Sequence, residues 1–253
     1  MRNTEGLVIA RDGTIYFSRR GAVGRVTPDG TVDSAWASVG GGSTTVWGLA
    51  LDPSNGDVYV GVPGMGVLVI GVSEPPSSRV LVAGGAPNGL TWGPDGVLYY
   101  SDFSEGHVYR VDPSGGTPSR VTTSVIRGAN GVAFEAGGTL LVASYMDGDL
   151  LRLTLDGSGV ETGRETVVST LGNPDGIALD STGRIYVTDQ GTGEVLRFAT
   201  DGTGRTPLGT TGAPANLEFG VGALRCSDLY VTSGSGALLR IETDTTGAAV
   251  PWH

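Results

Sequence analysis

The fold is decided by a stretch near the middle of the chain, Pro87-Asn-Gly-Leu-Thr-Trp-Gly-Pro-Asp-Gly-Val-Leu-Tyr-Tyr-Ser-Asp102. In it, a glycine is followed by alternating apolar residues, a glycine-containing turn and a tyrosine-rich apolar run. The same arrangement recurs every 40 to 45 residues, and its copies are marked by Gly6, Gly48, Gly89, Gly131, Gly176 and, in a degenerate copy, Asn216. Repeats of this length are typical of propeller blades. We interpret the chain as one domain of six repeats, at 5–45, 46–86, 87–128, 129–173, 174–213 and 214–253.

Within each repeat the apolar residues alternate with a period of two, which indicates strands and not helices. Turn pairs such as Asp95-Gly96 and Asp201-Gly202 tolerate positive φ and favour tight hairpins. The sequence therefore predicts an all-β fold, a six-bladed β-propeller of four-stranded antiparallel blades. We expect the ring to close with Ala248–Trp252 as the outer strand of the last blade, unless a strand upstream of the first repeat closes it.

The composition argues against several classes of partner and reaction. Sixteen basic and 26 acidic residues give a net charge of −10, so neither nucleic acid nor an anionic membrane surface is expected as a partner. The single cysteine, Cys226, cannot form an intrachain disulfide or a thiolate metal cage. Two histidines, His107 and His253, are present, and no Gly-x-Ser-x-Gly motif presents a nucleophilic serine.

No apolar run in the chain is long enough to span a bilayer, and the first residues lack the apolar segment of a signal peptide. We therefore expect a soluble protein, cytoplasmic by default or exported if a leader has been removed. The oligomeric state stays open.

The residue before each marker position is expected at one mouth of the central channel, because the first strand of each blade lines that channel. Around the ring these residues are Glu5, Trp47, Asn88, Asn130, Asp175 and Ala215. Two carboxylates and two carboxamides without sulfur or imidazole favour a hard divalent ion, with Ca²⁺ as the first choice and Mg²⁺, Mn²⁺ or Zn²⁺ as alternatives. Taken singly, Asn-Gly and Asp-Gly are common turn pairs. Their shared register is what favours a metal site.

The loops at the same mouth predict a largely apolar substrate pocket, as ligand sites usually are. Its candidate residues are Arg19, Trp47, Met65, Phe103, Tyr145, Met146 and Gln190. The alternative is that the loop aromatics simply cover strand ends. Arg19 and its neighbour Arg20 could hold a substrate carboxylate, with solvated side chains as the simpler interpretation. His107 is interpreted as a surface or loop-bonding residue, and Asp102 and Asp189 as residues that fix loops.

The repeats resemble the senescence-marker-protein, gluconolactonase and luciferin-regenerating-enzyme family over essentially the whole chain. The most telling stretches are Pro87–Asp102, Pro174–Asp180 with Ile185–Asp189, and Pro214–Gly220 with Leu229–Ser233. The resemblance implies one divalent ion, usually Ca²⁺, held by residues that match Glu5, Asn88, Asn130 and Asp175. The sugar-lactonase members share an Asn-Asp-Gly-Lys stretch in the third blade, which this chain lacks.

The resemblance implies a metal-dependent hydrolase of small-molecule lactones or related esters, with Asp175 as general base or nucleophile. The pocket residues favour apolar lactones or aryl esters over gluconolactone. An alternative is a non-enzymatic propeller that binds a ligand or protein and holds a structural ion. A third possibility, a lyase of the streptogramin-lyase kind, is disfavoured because those enzymes have seven blades and use a histidine, for which only His107 is available.

Overall fold

The computed structural model describes residues 4–248, and the regular structure in this range consists of strands arranged in six antiparallel sheets. Each sheet is a meander of consecutive strands, which confirms the predicted six-bladed β-propeller. The first three blades are formed by β1 (Leu7–Ile9), β2 (Ile15–Arg19), β3 (Ala22–Val26) and β4 (Val32–Ser38); β5 (Leu49–Leu51), β6 (Val58–Val62), β7 (Gly66–Gly71) and β8 (Ser77–Ala83); and β9 (Pro87–Trp92), β10 (Leu98–Asp102), β11 (His107–Val111) and β12 (Ser119–Arg120).

The remaining three blades continue the same order. They are formed by β13 (Ala129–Phe134), β14 (Leu140–Ser144), β15 (Asp149–Leu155) and β16 (Glu161–Val168); β17 (Pro174–Leu179), β18 (Ile185–Asp189), β19 (Glu194–Phe198) and β20 (Thr206–Thr210); and β21 (Pro214–Phe219), β22 (Asp228–Ser233) and β23 (Leu238–Glu242). The last blade thus has three strands within the described residues. In this range no helix is long and apolar enough to cross a membrane.

The hydrophobic core lies between neighbouring blades, because each sheet packs against the preceding sheet on one face and the following sheet on the other. The second strand of a blade is therefore buried along its whole length, as in β14 and β18. One core cluster joins Leu141 and Leu150 of the fourth blade to Ile177 and Ile185 of the fifth. Outer strands such as β8 are mostly exposed.

The marker glycines allow the inner strands to approach one another near the channel axis. A Cβ on Gly131 would overlap the backbone carbonyl oxygen of Asp175 in the next blade, and one on Gly176 would lie 2.7 Å from that of Ala215. A Cβ on Gly48 would likewise overlap the backbone carbonyl oxygen of Asn88. The glycine is therefore required for packing, and each one touches the residue that precedes the marker of the following blade.

The ring closes through direct contact between the sixth and first blades. The Thr232 hydroxyl on β22 donates to the Glu5 carbonyl, and the Ile9 amide donates to Glu218 Oε2 at 2.9 Å. The predicted outer strand Ala248–Trp252 lies outside the described residues beyond Ala248. Ala248 itself does not extend the sixth blade: its amide donates to the Leu179 carbonyl at 2.9 Å, on the inner strand of the fifth blade.

Candidate metal centre and substrate mouth

The four predicted oxygen donors come together at one end of a central cavity of about 1030 Å³. Glu5 lies two residues before the start of β1, whereas Asn88, Asn130 and Asp175 are the second residues of β9, β13 and β17. Asn88, Asn130 and Asp175 are 5%, 2% and 4% exposed. The cavity continues to the opposite face, where the segment 246–248 contributes to its wall.

The environment of the two carboxylates in this donor set disfavours their charged forms. Burial raises the pKa of Glu5 to about 8, and a hydrogen bond from Asn88 opposes the shift. Burial also raises the pKa of Asp175 well above its usual range, and repulsion from the Glu5 carboxylate adds to the effect. A cation between the two groups would relieve both the repulsion and the desolvation cost.

A third observation at the site concerns Asn130, whose buried Oδ1 atom accepts no hydrogen bond within the described residues. An unpartnered buried carboxamide oxygen beside two buried carboxylates fits a hard cation, which takes oxygen ligands. Residues 4–248 contain no cluster of three or more His, Cys, Asp or Glu side chains that could hold a metal. The donors present therefore fit Ca²⁺ better than an ion that prefers imidazole or thiolate.

Asp175 is oriented by a chain of hydrogen bonds that leads to the mouth. Gln190 Nε2 donates to Asp175 Oδ2 at 2.5 Å, and the Tyr145 hydroxyl donates to Gln190 Oε1 at 3.1 Å. Asn173 Nδ2 in turn donates to the Tyr145 carbonyl at 3.0 Å. Gln190, predicted as a pocket residue, thus contacts the donor set directly and fixes one carboxylate oxygen.

Three aromatic side chains form a continuous wall above the donors. The ring centroids of Trp47 and Phe103 are 5.8 Å apart, and those of Phe103 and Tyr145 are 5.6 Å apart. Met65 and Met146 lie at the same mouth and are 38% and 54% exposed. The predicted aromatic pocket residues are therefore brought together, whereas neither methionine lines a cavity within the described residues.

A second, smaller cavity of about 250 Å³ opens at this mouth, and Glu5 lines both cavities. Trp47, Gln190 and Arg20 also line the smaller one, which we call the mouth cavity. Arg19 is directed elsewhere, because its guanidinium donates to the Ser34 carbonyl on the outer strand at 2.7 Å. The arginine at the mouth cavity is Arg20 and not the predicted Arg19.

The other polar residues singled out in the sequence have structural roles. His107 Nδ1 lies 2.8 Å from the Thr122 hydroxyl, and burial lowers the pKa of this half-buried imidazole. Asp102 Oδ2 accepts from the Ala86 amide at 2.7 Å, and both Asp189 oxygens accept backbone amides at 2.8 Å. As predicted, these carboxylates fix loops, and His107 bonds to a residue of the loop that follows β12.

Sequence reasoning missed the hydroxyl residues that hold the donor strands in place. Ser101 Oγ accepts from the Gly89 amide at 2.9 Å and donates to the Asn130 carbonyl at 2.6 Å. Thr188 accepts from the Gly176 amide at 2.8 Å and donates to the Ala215 carbonyl at 2.6 Å. The signal was a serine or threonine just before the last residue of the second strand, also present as Ser18 and Thr232.

A half-buried acid on the channel wall was also missed. Glu218 occupies the register position at which the other inner strands carry Val8, Ala50, Thr91, Ala133 and Ala178. It lines the central cavity, and burial raises its pKa to about 8. A glutamate among five uncharged residues at one repeat position was a sequence signal for such a group.

The sequence pattern of the SMP-30/Gluconolactonase/LRE-like region matches residues 65–235, which is more than half of the chain. The chain belongs to this family. The match contains Asn88, Asn130 and Asp175 but begins after Glu5. This member of the family is also 30% identical to a virginiamycin B lyase of Nocardia farcinica over 155 residues, 60% of this chain and 52% of that protein. The chain thus spans about half the length of this curated relative.

Two solved structures illustrate the shared fold of this gluconolactonase-like protein. A gluconolactonase from Xanthomonas campestris is 22% identical, with 95% of this chain and 86% of that chain covered and a TM-score of 0.79. A luciferin-regenerating enzyme is 18% identical, with 97% and 93% covered and a TM-score of 0.78. At these identities the similarity establishes the fold alone.

Proposed function

We propose that this protein is a metal-dependent hydrolase of lactones or related esters, with Ca²⁺ at the four-oxygen donor set. The observation that carries the proposal is the Asn130 Oδ1 atom, which has no partner within residues 4–248, at a site that also holds the buried Asp175 carboxylate and the half-buried Glu5. Membership of the gluconolactonase-like family supports the reaction class.

Glu5, Asn88, Asn130 and Asp175 would hold the ion. Ca²⁺ accepts carboxamide oxygens and takes six to eight ligands, so four protein ligands leave room for water and substrate. The chemistry that such an ion supplies when bound is polarisation of a carbonyl and stabilisation of the negative charge that develops on its oxygen.

Asp175 is our choice for general base or nucleophile. Its Oδ2 atom is held by Gln190 at 2.5 Å, which fixes the plane of the carboxylate. A carboxylate that contacts the ion also lies close to any water bound there, which suits Asp175 to proton removal or attack. The rings of Trp47, Phe103 and Tyr145 would exclude water and pack against an apolar part of the substrate.

A second candidate reaction is elimination, which the similarity to a virginiamycin B lyase favours. Within the described residues the one imidazole is that of His107, and it lines neither cavity. The Asp175 carboxylate would then be the base that removes a proton. Product mass separates the two reactions, because hydrolysis adds a water molecule and elimination does not.

The proposal is tested first by titrating chelator-treated protein with Ca²⁺, Mg²⁺, Mn²⁺ and Zn²⁺ in a calorimeter. We expect one site, tightest for Ca²⁺, and a higher unfolding temperature with the ion bound, because a ligand held only by the folded state stabilises it. Glu5→Gln should weaken the ion's binding by removing charge while keeping an oxygen. Absence of binding by any of the four ions would refute the metal site.

The reaction is tested with an alkyl-substituted lactone, an aryl acetate and gluconolactone. Asp175→Asn keeps an oxygen donor and should lower hydrolysis by at least about a hundredfold, the effect of losing a general base. The control is Asp147→Asn, which removes a carboxylate that pairs with Arg127 on the surface. Full activity of Asp175→Asn would remove this residue from the mechanism, and no hydrolysis of the three compounds by metal-loaded protein would refute the proposed reaction class.

A further inference from the structure

Arg20 differs from the other described arginines because it lines a cavity while its side chain has no hydrogen-bond or ion-pair partner within residues 4–248. Within residues 4–248, Arg20 and Arg120 make no side-chain hydrogen bond or ion pair. The other thirteen described arginines donate to a carboxylate or a backbone carbonyl. Arg120 lies on β12, the exposed outer strand of the third blade. Arg20 instead lines the mouth cavity together with Glu5.

The backbone at Arg20 is held rigidly, which distinguishes it from an arginine on a flexible loop. Arg19 pairs with Ala22, so Arg20 and Gly21 are the two central residues of a tight hairpin, and Gly21 has a φ of +72°. The Gly21 amide donates to the Thr44 carbonyl at 2.8 Å, and its carbonyl accepts from the Val39 amide at 2.9 Å. The turn is therefore fixed from both sides, which fixes the backbone position from which the exposed Arg20 side chain extends.

The charge balance at the mouth favours an anion next to Arg20. Glu5 and Asp175 together carry two negative charges when ionised, which a divalent cation at the donor set would neutralise. Arg20 then leaves the mouth cavity with a net positive charge. A guanidinium binds a carboxylate through two parallel hydrogen bonds, and such charge-assisted pairs are stronger than neutral ones.

We propose that the mouth cavity binds a carboxylate group of the substrate through Arg20, while the ring of the same molecule packs against Trp47 and its carbonyl reaches the donor set. This inference rests on the proposed function and specifies its substrate class as lactones or esters that carry an anionic group. The cavity volume of about 250 Å³ is below the roughly 300 Å³ at which ligand pockets usually begin. It therefore accommodates one end of a substrate, and the reacting end lies at Glu5, where the central cavity begins.

The kinetic test compares two lactones of the same shape, a γ-butyrolactone with a carboxylate on its γ-carbon and the corresponding carboxamide. We expect the wild-type protein to prefer the carboxylate in kcat/KM. Arg20→Gln should reduce this preference about tenfold or more, the effect expected for loss of one charge-assisted hydrogen bond. Arg120→Gln is the matched control and should retain the preference. An unchanged preference in Arg20→Gln would overturn the proposal.

A binding test separates this proposal from the hydrolase proposal. Cyclopentanecarboxylate and cyclopentanecarboxamide cannot be hydrolysed as lactones, and their affinities are measured by calorimetry for Ca²⁺-loaded wild type, Arg20→Gln and Arg120→Gln. We expect tighter binding of the carboxylate, weakened about tenfold by Arg20→Gln alone and reduced by added salt. Carboxylate binding that depends on Arg20, without lactone hydrolysis, would support this site and refute the hydrolase. Hydrolysis of both lactones with no effect of Arg20→Gln on rate or binding would support the hydrolase and refute the carboxylate site at Arg20.

Discussion

Glu218 gives a prediction that is independent of any metal. Its side chain is the one acid at a register position that is uncharged in the other five inner strands, and the Ile9 amide donates to its Oε2 atom at 2.9 Å. Burial raises its pKa from an ordinary 4.5 to about 8. We therefore expect Glu218→Gln, which keeps an acceptor for Ile9, to stabilise the protein at alkaline pH.

The size of the effect follows from the two pKa values. Between pH 4.5 and about pH 8 the unfolded chain releases the Glu218 proton while the folded protein retains it, so stability falls as pH rises. One pKa unit corresponds to about 1.36 kcal/mol, so the full effect is about 3 to 5 kcal/mol. Below pH 4.5 Glu218 is neutral in both the folded and the unfolded protein, so wild type and variant should differ little in free energy of unfolding. Above about pH 8 the difference should stop growing.

The measurement is the free energy of unfolding by denaturant at several pH values from 4.5 to 9, with chelator in every sample. Glu242→Gln is the control, because Glu242 is exposed on β23 of the same blade and pairs with Arg225 at the surface. Its effect should stay within about 1 kcal/mol at every pH. Stability curves of wild type and Glu218→Gln that run parallel across this range would refute the reasoning.

Two further substitutions test the packing around the donors. Gly131→Ala places a Cβ against the Asp175 carbonyl and should destabilise the protein by about 1 to 3 kcal/mol, whereas Gly137→Ala has open space around its Cβ and should be nearly neutral in denaturant unfolding. Thr188→Val removes the hydroxyl that joins Gly176 to Ala215 and should cost about 2 to 4 kcal/mol, compared with little effect of the exposed Thr162→Val control. Wild-type stability of either test variant would contradict the contacts described here.

The sequence predicted the architecture well because its repeat carries both strand periodicity and turn chemistry. The third repeat was predicted at 87–128, and β9 to β12 of the third blade extend from Pro87 to Arg120 within it. The common register of Glu5, Asn88, Asn130 and Asp175 was enough to predict that they line one channel end. A six-fold pattern fixes the angular position of each residue, so no long-range information was needed for this part.

The parts that were missed depend on contacts between blades or on side-chain direction. Ser101 and Thr188 look like ordinary strand residues, and their function becomes visible only when the next blade places a carbonyl beside them. Arg19 is the last residue of β2, and its guanidinium donates to the Ser34 carbonyl on the outer strand β4. Arg20 is the next residue and lies in the turn. The path of the chain to Ala248 crosses to the fifth blade, which no repeat pattern describes.

The same contacts explain why the donor side chains are available for a ligand. The Asn130 carbonyl accepts from Ser101 and packs against Gly89, so its backbone is engaged by the preceding blade. The Asp175 carbonyl packs against Gly131 in the same way. With the backbone fixed, the Asn130 carboxamide and the Asp175 carboxylate, whose Oδ2 atom accepts from Gln190, line the central cavity, and binding a cation would require little reorganisation. Burial disfavours the ionised form of Asp175, and repulsion from Glu5 adds to this cost; a divalent cation at the donor set would relieve both.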